Sequence, residues 1–221
     1  MYAKMFRMSA CYSKRLLASL IFLASLGMFN HAHAAHSAPK TILVLGDSLS
    51  AEYGLSRGSG WVALLEKRLA EKKMGFTVFN ASISGETSSG GLSRLPELLG
   101  KHKPQIVIIE LGGNDALRGF DLKASETNFR AMISAVKASK AQPLLVAMKI
   151  PPNYGKTYSD QFFGLYGKLA KEMKIALVPF FLEGVADKAE LFQADRIHLK
   201  AEAHPQMLDN VWAPLEKMLK K

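Results

Sequence analysis

The sequence predicts an α/β protein, a three-layer α/β/α sandwich around a five-stranded parallel sheet, and three observations carry that expectation. Five short apolar runs alternate with longer amphipathic segments along the chain. The runs are close to continuously apolar, as strands buried on both faces must be, rather than alternating apolar with polar. A strand–helix order repeated five times also calls for right-handed crossovers that cover both faces of one parallel sheet.

In order, the expected strands are residues 41–45 (TILVL), 76–81 (FTVFNA), 105–111 (QIVIIEL), 143–150 (PLLVAMKI) and 175–181 (IALVPFF). The segments between them, 61–72, 88–100, 125–140 and 158–174, have the length and periodicity of helices. A last helix is expected over 205–219, with Pro205 in its first turn, where a missing N–H costs nothing. Functional residues of such folds gather at the carboxyl ends of the strands.

Composition bounds the rest. The 221 residues are 48% hydrophobic and 22% charged, which excludes collagen-like, low-complexity and disulfide-scaffold classes. A chain of this length forms one domain that buries roughly 70% of its unfolded surface, and it needs neither zinc nor a disulfide to hold it. Residues 1–34 read as an export signal. Lys4, Arg7, Lys14 and Arg15 form a basic start, residues 16–29 an apolar run too short to span a bilayer, and Ala32-His33-Ala34 a small-x-small cleavage pattern. The cut is expected between Ala34 and Ala35, leaving 35–221 as the folded domain in an exported, periplasmic location. Cys11, the only cysteine, leaves with the signal.

Removing the four bases of that segment from 29 leaves 25 Lys and Arg against 19 Asp and Glu, a net charge of +6. The lysines are spread along the chain, with no basic stripe interleaved with aromatics, so nucleic acid is not an expected partner. The charge reads as a solvated surface with a weak attraction to anionic lipid head groups. A monomer is expected.

Four short motifs fall at the predicted active edge. The first strand runs into Gly46-Asp47-Ser48, and a serine on such a turn is exposed beside backbone N–H groups able to stabilise an oxyanion. Read alone, Ser48 equally suits a helix cap. Asp195 stands three residues ahead of His198, close enough to fold back and hold the imidazole Nδ1–H while Nε2 takes a proton from a serine. The third strand leads into Gly112-Gly113-Asn114, where Asn114 is either an amide donor to an oxyanion or an Asx-turn residue. The second leads into Ser84-Gly85-Glu86, where Gly85 has a backbone N–H to offer. Nucleophile, oxyanion donors and base with orienting acid therefore coincide at one edge.

These blocks, with GDSLSAEYG, NASISGETSSGGLSRLPELL, ELGGNDALRGF, PPNYGKTY and AEAHPQMLDNVWAPLEKML, resemble the SGNH or GDSL hydrolase superfamily from Thr41 to the C-terminus. The similarity is to its small periplasmic esterases with acyl-CoA thioesterase, arylesterase and lysophospholipase activity. It implies a flavodoxin-like fold, Ser48, Asp195 and His198 as triad, and Ser48 N–H, Gly85 and Asn114 as oxyanion donors. It also implies a small-molecule acyl ester or thioester substrate. One departure is Leu199 after His198, where the family commonly has Pro; another is His204, where Gln is frequent. Leu117, Phe120, Pro152 and Tyr154, with Leu111, Ala116 and Pro151, are candidates for an apolar wall toward the acyl chain, or for plain loop packing. The alternatives are a short-chain or carbohydrate acetylesterase and a non-catalytic exported acyl-chain-binding protein.

Three other patterns carry less. Gly54-Leu55-Ser56-Arg57-Gly58 has the GxSxG spacing without the strand that motif needs before it. Gly155-Lys156-Thr157 lacks the upstream glycine of a phosphate loop, and the expected cut separates His31 and His33 from His36. No metal, nucleotide or other cofactor is expected.

Overall fold

The computed structural model describes residues 40–220, the side chain of Pro152 excepted. The expected export signal, its cut and residues 35–39 lie outside the described residues. Strands β1 (Lys40–Gly46), β2 (Phe76–Asn80), β3 (Ile106–Glu110), β4 (Gln142–Val146) and β5 (Ala176–Val178) form one parallel sheet in the order β2-β1-β3-β4-β5. The helices are α1 (Trp61–Glu71), α2 (Ser88–His102), α3 (Gly113–Leu117), α4 (Leu122–Ala138), α5 (Lys156–Met173) and α6 (His204–Leu219). Helix α1 packs on α6, α2 on α4 and α4 on α5, which gives one helix group for each face of the sheet.

The two central strands are the most apolar because they are covered on both faces. Residues Ile42, Leu43, Val44 and Leu45 of β1 and Val107, Ile108 and Ile109 of β3 are fully buried, each side chain contributing roughly 1.5–3 kcal/mol of transfer free energy. The expectation of two buried faces fails for β2, where Thr77, Phe79 and Asn80 are exposed, because β2 is an edge strand with thin helix cover. The apolar runs at 143–150 and 175–181 also outlast their strands, which stop at Val146 and Val178. Ala147, Met148, Ile150 and Phe181 stay buried beyond those ends, so the runs report burial rather than the length of the regular ladder.

Helix starts follow local chemistry. The Thr87 hydroxyl caps α2 by accepting from Gly90 N–H at 3.2 Å, and the Asp121 carboxylate caps α4 through Lys123 N–H at 3.0 Å. Gly60, ahead of α1, has no side chain to cap with, and Trp61 N–H donates instead to His204 Nδ1 at 3.0 Å, at the start of α6. His204 is thus a buried cap for a helix 143 residues away, as well as part of its own helix start.

The chain leaves β1 in one direction to build β2 and returns to lay β3, β4 and β5 on the other side. The crevice of a doubly wound sheet opens at such a switch point, here between the carboxyl ends of β1 and β3.

Candidate active site

Gly46 ends β1 where there is no room for a side chain, since a Cβ would lie 2.8 Å from both Glu110 Oε2 and Ser50 Oγ. The chain then turns tightly, with Ala51 N–H donating to Asp47 O at 2.9 Å and Tyr53 N–H to Ser48 O at 3.3 Å. This turn holds Ser48 Oγ 2.9 Å from His198 Nε2, and His198 Nδ1 lies 2.7 Å from Asp195 Oδ2. The other carboxylate oxygen, Asp195 Oδ1, accepts from the N–H groups of Ile197 and His198 at 2.9 and 3.0 Å. The acid folds back within one turn as its spacing predicts, at the expense of a left-handed Arg196. Burial pushes the Asp195 carboxyl upward, but the hydrogen bonds from the His198 side chain and from the two backbone amides outweigh it and hold the pKa at about 2.

The loop carrying His198 is fixed by a short antiparallel bridge between Phe192 and Leu199. Leu199, where the family pattern has Pro, is buried, and the turn forms around it. Gln193, which sequence reasoning missed, ties this loop to the nucleophile turn. Its Nε2 donates to Tyr53 O at 3.0 Å and to Leu199 O at 2.9 Å. The Tyr53 ring lies over the His198 imidazole, centroids 4.2 Å apart.

The expected oxyanion donors converge through Asn114. It sits in the first turn of α3, a five-residue helix rather than an Asx turn. Its Nδ2 donates to Asp47 Oδ2 at 3.1 Å and to Glu86 O at 3.0 Å, bridging the Ser48 turn and the Gly85 loop. Gly85 has φ +81°, a conformation that glycine adopts freely, and its carbonyl accepts from Arg118 Nη2 at 3.0 Å. Neither Ser48 N–H nor Gly85 N–H has an acceptor among the described residues. The adjacent Asp115 anchors α3 from below: it accepts from Ser88 N–H at 2.8 Å and Ser125 Oγ at 3.0 Å, and from the Ser88 hydroxyl.

A second carboxylate lies beneath the site. Glu110, fully buried at the end of β3, accepts on Oε2 from Ser50 Oγ at 2.6 Å and from Asp47 N–H at 3.3 Å, while Trp61 Nε1 donates to Ser50 Oγ at 3.1 Å. Glu110 Oε1 has no partner among the described residues. Burial pushes both carboxyls up, Asp47 to about 6 and Glu110 well above the usual carboxylate range, Asp47 adding to the rise at Glu110. Nothing local in the sequence marks Glu110, whose partners are about 60 residues away.

The expected apolar wall is dispersed. Leu111 and Ala116 are fully buried in the core and face no open crevice. Phe120 and Tyr154 are exposed, Leu117 is half-buried, and the Pro152 side chain lies outside the described ones. The crevice beside Ser48 and His198 is lined instead by Leu49, Tyr53, Leu55, Leu199 and His204. Ser56 is an exposed loop residue, and Lys156 opens α5.

A doubly wound sheet with a serine, an imidazole and a carboxylate in hydrogen-bonded series at its switch point defines a serine hydrolase of the α/β/α class. The chain belongs to the GDSL-like lipase/acylhydrolase family, which matches residues 44–205. It is 50% identical over 183 residues to Esterase TesA of Pseudomonas aeruginosa, covering 83% of this chain and 91% of that one. It is 47% identical over 173 residues to the Escherichia coli K12 protein named thioesterase 1/protease 1/lysophospholipase L1, covering 78% and 82%. The crystal structure of TesA superposes with a TM-score of 0.79 at 50% identity, covering 81% of this chain and 99% of that one.

Proposed function

We propose that this chain is an exported, monomeric hydrolase of acyl esters and thioesters, cut between Ala34 and Ala35, with Ser48, His198 and Asp195 as its triad. The observation that carries the reading is the unbroken series from Asp195 through His198 to Ser48, at 2.7 and 2.9 Å. The names of the relatives, an esterase and a thioesterase/lysophospholipase, support the substrate class.

In the first step His198 Nε2 takes the Ser48 proton as Oγ attacks the acyl carbonyl, and Asp195 stabilises the imidazolium. The oxyanion rests against Ser48 N–H, Gly85 N–H and the Asn114 amide. His198 then gives its proton to the departing alcohol or thiol, leaving an acyl-Ser48. Water, deprotonated by His198, attacks that acyl group, and Ser48 leaves with the proton. Leu49, Tyr53 and Leu55, which line the crevice beside Ser48, take the first part of the acyl chain, and the exposed Phe120 and Tyr154 with the half-buried Leu117 meet its distal part.

A p-nitrophenyl ester series from acetyl to palmitoyl, run on the wild type beside Ser48→Ala, tests this. Activity that peaks at medium or long chains and vanishes in the variant is expected, together with fluorophosphonate labelling of Ser48. Activity at no chain length, or activity that survives the loss of Ser48, overturns the triad. A preference for acetyl overturns the acyl groove alone.

A further inference from the structure

Lysines scattered through the sequence gather at one edge of the folded sheet. Each of the four helix-to-strand returns carries one in left-handed backbone: Lys73 before β2, Lys103 before β3, Lys140 before β4 and Lys174 before β5, with φ between 42° and 66°. They account for four of the six non-glycine residues at positive φ among the described residues. Lys40 opens β1, so every strand has a lysine at its amino end. In sheet order they run Lys73, Lys40, Lys103, Lys140, Lys174, and with neighbouring strands about 4.8 Å apart the row is about 20 Å long.

All five are exposed, and none has a carboxylate within 4.0 Å among the described residues. Lys101, Lys137 and Lys171, in the last turns of α2, α4 and α5, add to the same edge. The acids in the last turns beside this edge are engaged: Glu71 with Lys67, Glu172 with Arg130 and Glu216 with Lys220. The connections at the opposite, active-site edge hold more acids than bases, which makes the molecule electrostatically two-sided.

Lysine near a helix C-terminus offsets the macrodipole, which accounts for a cation in each last turn. It does not account for lysine at the left-handed position, where Gly or Asn fits with less strain.

We propose that this lysine row is a docking surface for an anionic phospholipid bilayer, holding the protein with its active-site edge turned away from the membrane. Charge complementarity selects the occupant: among the described residues none of the exposed large apolar side chains lies between these lysines, Lys40 Nζ rests over the half-buried Phe76 ring, and each lysine near an anionic surface strengthens binding about fivefold. The row lies at the far end of the sheet from Ser48, so its test stands apart from that of the triad.

The experiment compares the exported protein, with one N-terminus throughout, against Lys73→Asn/Lys103→Asn/Lys140→Asn/Lys174→Asn and the matching four-arginine variant. Asn keeps the left-handed turns, and Arg keeps the charge. Sedimentation with phosphatidylglycerol–phosphatidylcholine vesicles, measured over binding to phosphatidylcholine alone, is expected for the wild type at low salt. It should fall about fivefold per lysine in the Asn variant, return in the Arg variant and fade as ionic strength rises toward about 0.5 M. Hydrolysis of a soluble short-chain ester should match the wild type in both variants. Equal binding to both vesicle types, or unchanged binding of the Asn variant, overturns the proposal. So does an absence of binding with a lower melting temperature in the Asn variant, which assigns the lysines to the helix dipoles alone. Salt-sensitive self-association in place of vesicle binding assigns the row to the acidic edge of a second copy and also overturns it.

Discussion

Both hydrogens of one carboxamide are already engaged in the resting site. Asn114 Nδ2 donates to Asp47 and to Glu86, so in the proposed mechanism a substrate oxyanion has to draw one hydrogen away from them. The exchange is favourable only once negative charge has developed, which confines the interaction to the transition state. Asn114→Ala is expected to lower kcat about 10²–10³-fold with a smaller effect on KM; equal kcat at saturating substrate would remove Asn114 from the mechanism. Asp195→Asn presents an amide to His198 Nδ1, favours the wrong tautomer and should lower kcat by up to about 10⁴-fold. A single-turnover acylation rate within tenfold of wild type would contradict that role. Asp195 and His198 were legible because their relation is local, an acid three residues ahead of an imidazole. Gln193, Glu110 and His204 were not, because their partners lie about 60 to 140 residues away and only the fold brings them together.

Short elements set the positions of those residues. Helix α3 begins after Gly112, whose φ of +100° starts the turn off β3 and where a Cβ would lie 2.5 Å from Tyr166 Oη. That hydroxyl already donates to Leu111 O at 2.8 Å, so a methyl group meets a fixed atom. Gly112→Ala is expected to destabilise the fold by about 3 kcal/mol or more, through left-handed strain and overpacking together. Urea denaturation measures it, and a loss under about 1 kcal/mol would mean that Tyr166 moves aside easily. The five main helices and five strands were readable from apolar length and period. Helix α3 was not, because five residues carry barely one period. The ends of β4 and β5 were missed for the opposite reason, since apolar character continues past Val146 and Val178 with burial after the regular ladder ends.

For the molecule as a whole, the buried carboxyls shape the response to pH. Glu110 and Asp47 have folded pKa values above their unfolded ones, so each contributes stability that is present in acid and lost as pH rises through its folded pKa, about 6 for Asp47. His204 works the other way: burial lowers its pKa, and its contribution is present above about pH 6.5 and lost below. Asp195, held low, loses its contribution only as pH falls toward 2. Glu110→Gln isolates one of these effects, keeping an acceptor for Ser50 and Asp47 N–H without an ionisable group. Between pH 5 and 9 the melting temperature of the wild type should fall relative to this variant; parallel curves would mean that Glu110 does not titrate there. The separation of the catalytic groups along the chain has a different consequence, in the timing of synthesis. Ser48, Gly85 and Asn114 are made within the first 114 residues, whereas Asp195 and His198 arrive near the end, and Gln193 ties their loop to the nucleophile turn. A nascent chain therefore holds Ser48 without its proposed base until residues 195–198 have been made.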